Sequence, residues 1–179
     1  MDEHCTPLKT RHRFSDFLFW NTSAAVPILT ACIGIGRVSI AGLILFLAVL
    51  IFLLGIVYKF TCSHCPHYVE GAGATRCMFF WGVPKFFPAR PGPLNRIEKA
   101  VSIGAPAVLL LLPLYWLVKE PGFLAIYVLS AASLLAGIRR YECGRCIYFD
   151  CPSNRVPEER KKEAASPSAE TMPSEGARE

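Results

Sequence analysis

Six cysteines fall in two short stretches that could do chemistry together: Cys62, Cys65 and Cys77 in one, Cys143, Cys146 and Cys151 in the other. Each stretch opens with a Cys-x-x-Cys pair, Cys62-Ser63-His64-Cys65 and Cys143-Gly144-Arg145-Cys146, and each pair begins within a few residues of the end of a long apolar run. Thiolates at that spacing on a tight turn can converge on one soft cation. His64 and His67 add nitrogen donors to the first stretch. Zinc leads among the metals, because it takes four S or N ligands in a tetrahedron and Cys62, Cys65, Cys143 and Cys146 would complete one closed site across both stretches. Such a site would fix how the flanking segments meet and would do no chemistry of its own. Separate sites, with Cys77 and a histidine completing the first, are the other arrangement.

An iron–sulfur cluster is the alternative cofactor. Cys143-x2-Cys146-x4-Cys151-Pro152 resembles part of a bacterial ferredoxin run, which ends in Cys-Pro, but its spacing departs from Cys-x2-Cys-x2-Cys-x3-Cys-Pro and one cysteine is missing. A four-iron cluster would need Cys62, Cys65 or Cys77 to complete it. Thiol–disulfide exchange at Cys62 and Cys65 ranks third, since nothing in the chain resembles the βαβ scaffold that lowers a thiol pKa in thioredoxin-like proteins. No nucleophile–base constellation, phosphate loop or carboxylate pair is present, so the reading leans away from an enzyme. Cys32 lies within an apolar run without a second ligand type and reads as a small buried hydrophobe. His4, Cys5 and His12 lack ligand spacing and read as incidental surface residues.

The elements that must position these residues are set by composition. Of 179 residues, 53% are hydrophobic and 18% charged, and the mean hydropathy is +0.36, which is poor in charge for a soluble domain. The formal charge is +5, but the basic residues are spread over loops flanking apolar runs; this is a lipid-facing bias rather than a nucleic-acid footprint. The chain therefore reads as an all-α membrane protein with about four transmembrane helices arranged as two hairpins.

Residues 1–16 form a polar amino-terminal arm, too acidic and too long for the basic segment of a secretory signal. Residues 17–58 form the first hairpin. A 30 Å hydrocarbon core needs about 20 helical residues, so this run is two spans, and the expected break is Gly34-Ile35-Gly36-Arg37. The first of these spans is the weaker, carrying Asn21, Thr22, Ser23 and Pro27, and a three-span arrangement without it ranks second. Residues 59–100 are a cysteine-rich loop. Its run Met78–Phe87 is too short to span but rich in aromatics, and reads as either an interfacial segment or the underside of a small cap packed on the helices.

Residues 101–138 form the second hairpin, turning at Lys119-Glu120-Pro121-Gly122. Its second helix carries small residues at Ala132/Ala136 and Ser133/Gly137, a face expected to pack inward. Residues 139–157 are the second cysteine-rich segment, and 158–179 a disordered tail poor in large apolar residues.

Both cysteine segments and both termini fall on one side, where Arg and Lys crowd, and the positive-inside rule puts that side in the cytoplasm, at a plasma (inner) membrane. A reducing compartment favours metal ligation over disulfides. The expected function is a membrane scaffold or assembly factor with a cysteine-ligated zinc site, the alternative being an iron–sulfur electron carrier. The expected partners are the lipid bilayer and a cytosolic or membrane protein, not nucleic acid. Transport is disfavoured because the spans hold no Asp, Glu, His or Lys.

Overall fold

The computed structural model describes residues 8–69 and 73–165. It is mostly helical, with four helices long and apolar enough to cross a membrane: Phe14–Val38, Ile40–His64, Arg96–Leu117 and Pro121–Cys143. The protein is an integral membrane protein by that measure. The sides of these helices agree. Ile40, Ile44, Leu45, Ile51 and Phe52 are all exposed on the second, which in water would leave a large apolar area unburied and in lipid does not.

Helix α1 spans Phe14–Val38 and α2 spans Ile40–Phe60, separated only by Ser39, whose hydroxyl caps α2 by accepting from the Gly42 N–H at 3.0 Å. The break thus falls after the expected Gly34–Arg37 turn. Gly34 stays helical because it is a close-approach site: a methyl group there would strike the Leu117 side chain and crowd Phe123. Gly42 likewise seats the indole of Trp116. Small residues let membrane helices approach closely, and here they do so in place of turning the chain.

The third long helix is α4, Arg96–Leu111, opened by a reciprocal capping box of Asn95 and Glu98, and continued past a turn at Leu112-Pro113 by α5, Leu114–Leu117. Helix α6, Pro121–Gly137, runs on into a π-helical segment, Ile138–Cys143. The core lies where Ala31, Ile35, Phe46, Leu117 and Tyr127 meet, walled by Leu43, Trp116 and Phe123. On α6 the buried positions are Tyr127 and Ala131, while Gly137 lies against the Trp20 ring; Ala132, Ser133 and Ala136 are exposed. Of the small residues expected to turn inward, Gly137 does so, while Ala132, Ser133 and Ala136 are exposed; Tyr127, whose hydroxyl donates to the Leu110 carbonyl at 3.0 Å, takes the buried face beside Ala131.

Between α2 and α4 the chain is not wholly helical. Helix α3, Pro66–Val69, is followed by strands β1, Ala74–Arg76, and β2, Trp81–Pro84, paired antiparallel. This small sheet corrects the all-helical expectation: Pro84, Pro88, Pro91 and Pro93 deny the loop a helix, and Phe and Trp residues give it a surface to pack. Trp81 packs on Phe14 with ring centroids 5.7 Å apart, and Phe80 on Tyr58 at 5.0 Å. Part of the aromatic run thus packs against α1 and α2, while Phe86 stays exposed. Asn21 donates to the Met78 carbonyl and Tyr58 to the Pro84 carbonyl, so α1 and α2 both hold it.

Helix α7, Glu158–Ala165, occupies the start of the expected disordered tail. Its Glu158 pairs with Lys161 at 2.6 Å, and acidic residues in a first turn suit the helix dipole. The remainder of that tail, like residues 1–7 with His4 and Cys5, lies outside the described residues.

Candidate functional site

The amino-terminal arm, the first cysteine loop and the segment after α6 meet at one end of the helices. The Lys9 N–H donates to the Arg145 carbonyl at 2.7 Å, and Lys9 bridges in parallel to Cys146. Arg90 N–H donates to the Ser63 carbonyl at 2.9 Å, and the Tyr148 hydroxyl to the Gly92 carbonyl at 3.4 Å. All six loop cysteines are half-buried and free of disulfides. Cys32 is set apart, packed at the edge of the helix core as a hydrophobe would be.

The thiols of the two stretches share one neighbourhood. Burial pushes the Cys65 thiol far up; the nearby Cys77 adds to this, a backbone N–H from His67 opposes it, and Cys146 and Cys151 of the other segment add to it again. Burial also raises Cys146, against an opposing N–H from Tyr148, with Cys151 and Cys77 pushing further. Cys77 and Cys151 are raised by burial as well. The leading cause is common to all, the loss of a thiolate's hydration in the cap, and at Cys65 and Cys146 neighbouring thiols add to it. A thiol held in its neutral form is a poor nucleophile, which weighs against disulfide exchange here. Among the described residues, no three His, Cys, Asp or Glu side chains stand close enough together to hold a metal ion as they lie.

The two sequence-predicted histidines part company. His64 is buried with Nδ1 at 3.3 Å from the Gly92 carbonyl and Nε2 at 3.2 Å from Glu98 Oε1. Both ring nitrogens face acceptors, so neither presents a lone pair to a metal. Glu98, itself buried, is further held by Arg90 at 3.1 Å, and this trio ties the loop to the start of α4. His67 is also buried, and its ring packs edge-on against that of His12, centroids 4.4 Å apart.

His12 is the residue that sequence reasoning placed wrongly. Its side chain is 7% exposed, not on the surface, and Nδ1 is buried with no hydrogen-bond partner among the described residues. Burial first, then His67 and Lys9, hold its pKa down to about 4, against the pull of Glu142 and Asp16. Beside it lies a second unpredicted group. Glu142, delivered by the π-helical segment, accepts from Lys9 Nζ at 2.8 and 3.0 Å and from Trp20 Nε1 at 2.8 Å, while Lys9 also reaches Asp16 at 3.0 Å. No local pattern marks these residues; the one available signal was Glu142 itself, an acidic side chain between Arg140 and the cysteines at a span's end.

What the site defines is a class: a membrane-embedded helical protein with a thiol-rich polar cap at one end. No family model matches the chain, and neither a curated protein nor a solved structure matches it.

Proposed function

We propose that the cap binds a soft metal ion through its cysteine thiols at the cytoplasmic face of the membrane, and that zinc held there fixes the cap as a docking platform for a cytosolic or membrane partner. One observation supports this: the chain around Cys146 is held beside the amino-terminal arm, and Cys65 of the first loop feels the charge of Cys77, Cys146 and Cys151, so thiols from the two segments share one neighbourhood, though not at ligating distance as they lie. Zinc suits such a set because it takes four S or N ligands and brings no redox chemistry. Bound there, it would cross-link the segments that follow α2 and α6, and its binding energy would count as folding energy. The protein is then a scaffold or assembly factor rather than an enzyme.

Metal analysis of the full chain, purified anaerobically in detergent, tests this. About one zinc per chain and a colourless protein are expected for a single closed site. Brown protein containing iron and acid-labile sulfide would replace the scaffold with an electron carrier, and metal-free protein that takes up neither would end the reading. The cytoplasmic placement rests on the crowding of Lys9, Arg11, Arg13, Lys59, Lys85, Arg139 and Arg140 at the cap end, against Arg37 and Lys119 at the other. Reporter fusions at Gly73 and at the carboxyl terminus should both signal cytoplasm; an external signal from either would reverse the orientation.

A further inference from the structure

We propose that the groove between α2 and α4 binds one anionic phospholipid from the leaflet on the cap side, with an acyl chain lying along α4 and the phosphate paired with Arg96. The site belongs to the membrane-spanning part of the molecule and needs no metal in the cap.

The groove has a volume of about 510 Å³, within the range of roughly 300–1,000 Å³ usual for small-molecule sites. Leu53 and Ile56 wall it on α2. On α4 its floor is the row Arg96, Ala100, Gly104 and Val108, which recurs at four-residue spacing and so runs as one stripe down the helix. Ala100 and Gly104 keep the middle of that stripe low. A Cβ added at Gly104 would meet nothing within 4 Å, whereas Gly34 and Gly42 make room for Leu117 and Trp116. Glycine inside a helix costs stability relative to alanine, and here no described atom of the chain uses the space it opens. The two helices are pinned beside that space by the hydroxyls of Thr61 and Ser102, 2.8 Å apart.

Charge and length identify the occupant. Arg96 is the first residue of α4, at the cap end of the groove, and is exposed. Among the described residues it forms no ion pair. The nearest acid along the helix, Glu98, is already engaged by Asn95, His64 and Arg90. Lys59, exposed in the last turn of α2, likewise has no carboxylate and lies over the rings of Phe60 and Phe87. The cap end of the groove therefore carries uncompensated positive charge, while the rest of its lining is apolar.

From Arg96 to Val108 the stripe is about 18 Å long at the helical rise per residue. That is close to one leaflet, about half of a 30 Å hydrocarbon core. A cation followed by an apolar channel one leaflet deep matches a single phospholipid. A helix from a second copy of the chain would instead need a stripe along the whole span. The guanidinium offers parallel N–H groups to phosphate oxygens, and basic sites between membrane helices recognise anionic headgroups in this way. A zwitterionic headgroup places its own ammonium beside the phosphate and gains less from Arg96.

The test mixes the full chain in detergent with phosphatidylglycerol carrying a photoactivatable group on one acyl chain, and maps the adducts by mass spectrometry after irradiation. Adducts should concentrate in segments 53–56 and 100–108, and unlabelled phosphatidylglycerol should compete about fivefold better than phosphatidylcholine, the effect of one basic residue on an anionic headgroup. Arg96→Gln should abolish that preference and Arg96→Lys should keep it. Lys99→Gln removes the same charge from a residue outside the groove lining and should keep it too. Gly104→Leu fills the groove, displacing several methylenes of the chain, and should cut labelling of segment 100–108 by at least about tenfold. Its circular dichroism and thermal unfolding should match the wild type, since the added side chain starts in open space. Equal competition by phosphatidylcholine, an equal loss in Lys99→Gln and Arg96→Gln, or unchanged labelling in a folded Gly104→Leu would each overturn the proposal. Native mass spectrometry of the same samples counts lipids and chains, and a dimer without bound phosphatidylglycerol would assign the groove to a second copy and overturn it as well.

Discussion

The two ends of the helical bundle are held by different physics. At the cap end, Glu142 is buried and shared between Lys9 and Trp20, Glu98 is buried and shared between His64 and Arg90, and thiols crowd beside them. At the opposite end the chain turns at Ser39 and at Lys119–Pro121 beside the apolar core, and the one ion pair described there, Arg37 with Glu120, spans 3.8 Å with the arginine 62% exposed. Buried charge demands partners, and losing one is expensive; exposed charge has water as a substitute. The cap end is therefore where buried polar contacts tie the segments together, and the far end is where apolar packing around Ile35 and Leu117 joins the helices with no buried charge.

The largest effect should come from breaking the cap's central carboxylate. Glu142→Ala leaves the half-buried Lys9 without its closest counter-charge, with only Asp16 remaining, and the buried Trp20 indole without an acceptor, at a cost of up to about 3–5 kcal/mol. Chemical denaturation in detergent micelles measures this. A loss below about 1 kcal/mol would show the network to be hydrated, and the contrast between the two ends would then fail.

How far the sequence foretold this contrast depends on the range of the interactions. The spans were legible because a run of about 20 apolar residues has few other uses, and the thiols were legible because residue type and spacing are local. The helix break was misread: Gly34 and Gly36 look like turn residues in isolation, and only the arrival of Leu117 and Phe123 shows that Gly34 is a contact surface. His12 and Lys9 carried no signal at all, since what makes them part of the cap is contact with residues more than a hundred positions away, including Glu142. The small-residue face of α6 was only partly placed for a similar reason: Gly137 packs inward, but Ala132, Ser133 and Ala136 do not, the Tyr127 anchor being a tertiary fact.

The next effect in size probes the bundle rather than the cap. Gly34→Leu forces a side chain into the space held by Leu117 and Phe123, an overpacking that costs about 1–3 kcal/mol. Thermal unfolding in the same detergent measures it, and the cap should stay formed, with unchanged protection of Cys65 and Cys146 from alkylation. Deprotection there would mean that helix packing, not the cap network, sets the cap.

A smaller effect, of opposite sign near neutral pH, is expected at His12. Its Nδ1 has no hydrogen-bond partner among the described residues, so His12→Phe keeps a ring against His67 and removes a buried polar atom, gaining up to about 1–2 kcal/mol. The pH dependence has a definite sign. Burial chiefly, with His67 and Lys9, lowers the folded pKa to about 4 while Glu142 and Asp16 raise it, and the unfolded value is the ordinary 6.5. The unfolded chain then takes the proton first, so stability is full above about pH 6.5 and falls as pH drops toward 4, by at most on the order of 3 kcal/mol. His12→Phe should flatten that part of the wild-type profile. A variant less stable than wild type at pH 7, or one with the same acid slope, would give His12 a polar role instead.

The smallest effect should be at the far end, and it makes the comparison quantitative. Arg37 has two contacts there, the 3.8 Å approach to Glu120 and a position 5.8 Å above the Phe123 ring, both open to solvent. Exposed pairs of either kind contribute about 1 kcal/mol or less, and salt screens them. Lys9 also brings one positive charge to acidic neighbours, yet it is 17% exposed and lies within 3.0 Å of both Asp16 and Glu142. Arg37→Ala should therefore cost a small fraction of what Lys9→Ala costs, and the Arg37 loss should vanish in high salt while the Lys9 loss persists, because ions reach the first pair and not the second. Measured side by side by denaturation at low and high salt, equal losses for the two variants would mean that both ends are held by the same physics, and that the cap has no special part in bringing the helices together.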